Sequence, residues 1–171
     1  GCGETYPGRA PVGCWGQSAG GYGDGVGTGA TGGHWVIEDS IFAHNTSDGL
    51  DLLYAREKGS RIEIRRTIAR GNAGDQIKTS GPTVVENVLA VSNCGFFQGK
   101  PFTHHVDNCR SGGSALALTL RTGDQVTVTN STVTGQGDCL VIAECQGGYT
   151  CGGSESVRLR NDIFQGNPEF H

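Results

Sequence analysis

A chain of 171 residues with 30 glycines, 5 prolines and no methionine carries more than twice the glycine of an average globular protein, about 7%, yet lacks the Gly-X-Y period of collagen. Its formal charge of −4, from 13 basic and 17 acidic residues with no separate Lys/Arg-rich run, argues against a nucleic-acid partner. A hydrophobic share of 35% suits one buried core, and no stretch approaches the roughly 18 consecutive apolar residues of a membrane span. The start at Gly1 and the lack of methionine point to a processed or partial chain from which any signal peptide has gone.

Residues 1–33 hold 13 of the glycines and are expected to form an irregular lead-in that covers the first coil. From residue 34 onward a motif of about 15 residues recurs five times. The copies are Ile37-Glu-Asp-Ser-Ile-Phe-Ala-His-Asn45, Ile64-Arg-Arg-Thr-Ile-Ala-Arg-Gly-Asn72, Val85-Glu-Asn-Val-Leu-Ala-Val-Ser-Asn93, Val128-Thr-Asn-Ser-Thr-Val-Thr-Gly-Gln136 and Leu159-Arg-Asn-Asp-Ile-Phe-Gln-Gly-Asn167. Each reads as a strand, a bend and an amide side chain, at offsets of 27, 21, 43 and 31 residues. Apolar residues align at Ile37, Ile64, Val85, Val128 and Leu159, and again at Ile41, Ile68, Leu89 and Ile163, with Thr132 as the exception. Both columns are expected to face inward. The amide column Asn45, Asn72, Asn93, Gln136, Asn167 can hydrogen-bond along a stack, and Glu38, Arg65 and Glu86 would stand as cross-strand neighbours of alternating sign. Short strands on a common period, without helical periodicity, predict an all-β parallel solenoid of about four to five coils over residues 34–171. The last copy ends at Pro168-Glu-Phe-His171 inside a coil, so an uncapped or truncated C-terminal end, open to end-to-end self-association, is expected.

Seven cysteines without a CxxC pair favour disulfides in an oxidising, exported location over a zinc site. Neighbourhood along the chain suggests Cys2 with Cys14, Cys94 with Cys109 and Cys145 with Cys151. Cys139, in an apolar run, is expected to be a free, buried thiol.

The repeat resembles the right-handed parallel β-helix of the pectate-lyase-like superfamily. Within it, Asn45-Thr-Ser-Asp-Gly-Leu-Asp-Leu52 followed by Gly74-Asp-Gln-Ile-Lys-Thr-Ser-Gly81 is similar to the ninth polysaccharide lyase family. That resemblance implies a secreted, periplasmic or cell-surface enzyme acting by β-elimination on a uronate-containing acidic polysaccharide. It also implies calcium held by aspartates and a lysine base. Ser47 stands where the family more often has another aspartate, and five copies make fewer coils than such lyases have.

The residues themselves support part of this. The offset of 27 stacks Asp48 on Asp75 and sets Asp51 beside Lys78. Like-charged carboxylates about 5 Å apart repel unless a cation or proton intervenes, and Ca²⁺ takes carboxylate oxygens readily, so Asp48, Asp51 and Asp75 are the candidate metal ligands. Lys78, one of three lysines, is the candidate base. Arg70, Lys100, His104, His105 and Arg110 are candidates for binding further uronate carboxylates. The plain alternative is that Asp48 and Asp75 cap bends and Asp51 forms a surface ion pair with Lys78. The corresponding functional alternative is a non-catalytic glycan-binding or structural cell-surface module.

Overall fold

The computed structural model describes residues 23–93, 113–137, 139–145 and 151–166. Within them the chain winds into a parallel β-helix of three sheets, each of five strands. Each coil contributes one strand to each sheet. Sheet A takes β1 (Val26–Gly27), β4 (Leu50–Leu52), β7 (Ile77–Ser80), β10 (Ser114–Thr119) and β13 (Cys139–Glu144). Sheet B takes β2 (His34–Glu38), β5 (Arg61–Arg65), β8 (Thr83–Glu86), β11 (Gln125–Thr129) and β14 (Ser156–Arg160). Sheet C takes β3 (Ile41–Ala43), β6 (Ile68–Arg70), β9 (Leu89–Ser92), β12 (Thr132–Gly135) and β15 (Ile163–Gly166). No helix among the described residues is long and apolar enough to cross a membrane.

The register follows the sequence columns. Ile37 pairs with Ile64, Ile64 with Val85, Val85 with Val128 and Val128 with Leu159. Ile64, Val85 and Val128 are fully buried and join Leu50, Leu52, Ile62, Ile77, Leu116 and Leu118 in one continuous core. The alternation of β5 shows why: Ile62 and Ile64 point inward while Arg61, Glu63 and Arg65 point out, as the two-residue period of a strand demands. Outside, Arg65 lies against Glu38, Glu63 and Glu86, the expected ladder of alternating charge. Glu63 also takes His34 Nε2 at 2.9 Å and Arg61 at 2.7 Å. Hydrogen bonding from Arg65, outweighing partial desolvation, holds its carboxyl below the usual range.

The second apolar column is in register but faces outward. Ile41 pairs with Ile68 and Ile68 with Leu89, yet Ile41 is 65% and Ile163 60% exposed. The inward positions in sheet C fall one residue later, at Ala69, Ala90 and Val133, all fully buried. The corner between sheets B and C explains the shift. Asp39, Arg66, Asn87, Asn130 and Asn161 occupy the same place in five coils, with φ between 48° and 57°. One left-handed residue turns the chain without preserving alternation across the corner. Asn and Asp accept that conformation most readily among non-glycine residues. Arg66 is the exception, held by a two-point contact from its guanidinium to Asp39 at 2.8 and 3.0 Å.

Residues 23–33, expected within the lead-in, run beside the next coil: β1 pairs with β4, and Val26 N–H donates to Gly49 O at 3.1 Å. Residues 1–22, the C-terminal residues 167–171, and the pairs Cys2 with Cys14 and Cys94 with Cys109 lie outside the described residues. Cys145 and Cys151 form the expected disulfide. Cys139 is the free cysteine among the described residues, but it is exposed rather than buried. It pairs with the buried Ser114 of β10, but β13 is the edge strand of sheet A and no further described strand covers it.

Candidate functional site

The corners leading from sheet C into sheet A carry a ladder of aspartates. Asp24 Oδ1 accepts the Asp48 N–H at 3.0 Å, Asp48 Oδ1 accepts the Asp75 N–H at 2.8 Å, and Asp75 Oδ1 accepts the Ser114 N–H at 2.7 Å. Each carboxylate therefore satisfies the backbone of the next coil, at a bend where no strand partner does so. The neighbouring amides brace the same corner. Asn72 Oδ1 takes both the backbone N–H and the side-chain amide of Asn45, at 3.0 and 2.8 Å, and Gln76 Oε1 takes the Asn72 N–H at 3.0 Å. Gly49 is required there, since a Cβ would come within 2.5 Å of Gln76 O and of the Asn72 amide.

The second oxygens of this ladder converge on Lys78. Its Nζ stands 2.7 Å from Asp48 Oδ2 and 2.7 Å from Asp75 Oδ2. The side chains are largely out of solvent, at 14% exposure for Lys78, 1% for Asp48 and 5% for Asp75. Burial alone would lower the Lys78 pKa, but Asp75 and Asp48 outweigh it and raise the group above its ordinary value. Burial, with a further push from Asp48, raises Asp75 despite the pull of Lys78. As the chain stands, Lys78 is an ammonium clamped between two carboxylates.

Asp51 pairs in register with Lys78 across β4 and β7, as the offset of 27 predicts. It does not take the ion pair, because its Oδ1 turns back to the Leu53 N–H at 2.8 Å. Burial first, then repulsion from Asp48 and Asp24, raise its pKa to about 6, against the lowering effects of the Leu53 hydrogen bond and Lys78. Asp24, Asp48 and Asp51 bring one carboxylate oxygen each within 4.8 Å of one another. Asp24 Oδ2 and Asp51 Oδ2 take no hydrogen bond among the described residues, and a Cβ at Gly27 would stand 3.0 Å from Asp24 Oδ2, so the glycine keeps that side clear. Hard oxygen donors with an excess of negative charge fit a divalent cation of the Ca²⁺ type, which takes roughly six to eight oxygens and would draw the rest from water.

The acidic group thus differs by one member from the set expected on sequence. Asp48 and Asp51 belong to it, Asp24 joins them, and Asp75 turns to Lys78 instead. Asp24 lies in the glycine-rich segment outside the recurring motif, but the pair Asp24-Gly25 repeats Asp48-Gly49, and that dipeptide was its signal. Arg70 ends β6 and is exposed on the approach to the Asn72 corner, without a contact to the acidic group among the described residues. Lys100, His104, His105 and Arg110 lie outside the described residues. Comparison with family models, with curated proteins and with solved structures finds no match to this chain.

Proposed function

We propose that the chain is an exported, calcium-binding β-helix that acts on a uronate-containing acidic polysaccharide by β-elimination, with Lys78 as the base. The observation that carries this reading is the gathering of Asp24, Asp48 and Asp51 within 4.8 Å, next to the Lys78 amine on the outer strip of sheet A. A bound divalent cation would neutralise a substrate carboxylate and so acidify the proton on the adjacent carbon. Lys78 would accept that proton from the face of sheet A, with Asp75 fixing the direction of its amine. Because Asp48 and Asp75 favour the ammonium form, the reaction is expected to run best on the alkaline side of neutrality. The disulfide Cys145–Cys151 fits an oxidising compartment.

Incubation with polygalacturonate, alginate and glycosaminoglycans, followed by ultraviolet absorbance of unsaturated product with and without a chelator, tests the reading. Product that forms only without chelator is the expected result. Lack of product from every acidic glycan would leave the second reading, a non-catalytic glycan-binding or structural module. The specific observation on its side is that the Lys78 clamp and the aspartate ladder already hold the coils together, without any catalytic role.

Cation binding has its own pH signature. An acid whose pKa rises on folding holds its proton more tightly in the folded chain, so ionised Asp51 opposes folding as pH climbs from 3.8 towards about 6. At pH 8, Ca²⁺ at about 100 times its dissociation constant is expected to add about 2.7 kcal/mol, raising the thermal midpoint by roughly 5–10 °C. At pH 5, where Asp51 is mostly protonated, the shift should fall by about half. An Asp51→Asn chain that responds to Ca²⁺ like the parent at pH 8 would remove Asp51 from the site.

A further inference from the structure

The corners between sheets A and B, on the far side of sheet A from the aspartate ladder, border an open cleft of about 600 Å³. That lies within the range of small-ligand sites, roughly 300–1,000 Å³. Arg56 and Lys58 line it from the corner after β4, and Arg121 from the corner after β10, with Glu57 and Asp124 as the acidic members. Among the described residues, three cations and two carboxylates line it, in a chain whose overall charge is −4.

The cleft is partly ordered by its own contacts. Arg121 Nη1 donates to Arg56 O at 2.7 Å, tying together corners from two different coils. Asp124 Oδ2 accepts the Arg121 backbone N–H at 2.8 Å and lies 3.6 Å from its Nε, so that carboxylate is committed to the turn. The Arg56 guanidinium lies over the Tyr54 ring, 5.1 Å from its centre, and Tyr54 remains 45% exposed. Tyr54 follows Asp51 by three residues, in the turn that ends β4, where Ala55 N–H donates to Leu52 O at 3.1 Å. A guanidinium fork suits a planar carboxylate, and a partly exposed aromatic ring offers an apolar surface to a sugar ring.

We propose that this cleft is an anion subsite that seats the carboxylate of a sugar unit, with Arg56, Lys58 and Arg121 as its charge partners and Tyr54 beside the ring. It extends the acidic-glycan reading above to a second place on the molecule and rests on that reading for the class of ligand. The site does not need a cation or a chemical step, so it can be tested apart from β-elimination.

The experiment is calorimetric titration of the whole chain with trigalacturonate, in chelator and at low salt, with maltotriose as the neutral control. Lys58→Glu and Arg56→Ala change cleft side chains that are not in the core, and circular dichroism would verify their fold. Each is expected to weaken trigalacturonate binding about tenfold, equivalent to 1.4 kcal/mol, while maltotriose shows no binding to any form. A change below about twofold in both variants, or equal binding of maltotriose, would overturn the subsite. Displacement of trigalacturonate by an equal concentration of inorganic phosphate would overturn its assignment to a sugar carboxylate. If no acidic glycan yields unsaturated product but Lys58→Glu still weakens binding, the subsite stands and the lyase reading falls.

Discussion

Replacing Lys78 with alanine is expected to lower the thermal midpoint by about 10 °C, the largest single effect at the acidic site. Asp48 and Asp75 both turn an oxygen to its Nζ at 2.7 Å and are almost out of solvent. Removing one partner of a buried ion group leaves uncompensated charge and costs about 3–5 kcal/mol, and a chain of this size loses roughly 2–4 °C per kcal/mol. The loss should deepen as pH rises from 5 to 8, since burial has already raised the Asp75 pKa and its ionised form is the costly one. Differential scanning calorimetry at the two pH values measures both effects. A midpoint within 2 °C of the parent would show that the clamp does not hold these coils. Lys78→Arg separates structure from chemistry: it keeps a cation between the aspartates but supplies no usable base near neutral pH. A folded Lys78→Arg chain that still released unsaturated product would end the assignment of Lys78 as base.

Gly135→Ala is expected to destabilise the stack by about 4 kcal/mol or more, in the exceptional range for a single change. Gly135 has φ +121°, and an added Cβ would sit 2.0 Å from the Ser92 carbonyl oxygen and 2.7 Å from its carbon. Those are backbone atoms of the preceding coil, paired in register with Gly135 itself, so neither can move without opening the ladder between β9 and β12. Gly123→Ala is the control. Its φ is +86° and an added Cβ would meet nothing within 4 Å, so only the left-handed conformation is penalised, by about 1–2 kcal/mol. Urea unfolding of the two variants should separate clash from backbone strain. Equal losses would mean that the coils can shift apart at Ser92.

The solenoid was legible in the sequence because a single apolar column, Ile37 to Leu159, repeats in every coil, with its middle members Ile64, Val85 and Val128 fully buried. The charge column Glu38, Arg65, Glu86 marked the same register from outside. The orientation of sheet C was not legible, because one left-handed residue at each corner resets which side chains point inward. Its signature stood in the third place of the motif, where Asp39, Asn87, Asn130 and Asn161 recur, but Arg66 breaks that column. At the acidic site, stacking Asp48 on Asp75 and pairing Asp51 with Lys78 followed directly from the offset. The partner of Lys78 did not, because the Asp51 oxygen turns to the backbone N–H two residues on, at Leu53, and leaves the amine to Asp48 and Asp75. The cleft around Arg56 and Arg121 was invisible, since its members lie 65 residues apart and share no motif.

The left-handed corner between sheets B and C has the same two-residue build in all five coils, from Asp39-Ser40 to Asn161-Asp162. The unequal offsets of 27, 21, 43 and 31 residues are therefore taken up mainly at the other two corners, with a smaller share in the sheet A strands, which run from two to six residues. The molecule has an invariant spine along one edge and two edges on which loops of any length can be hung. Those two edges carry the aspartate ladder and the cationic cleft. Such a scaffold can acquire or exchange recognition surfaces coil by coil without re-solving its fold, much as a display framework carries interchangeable loops.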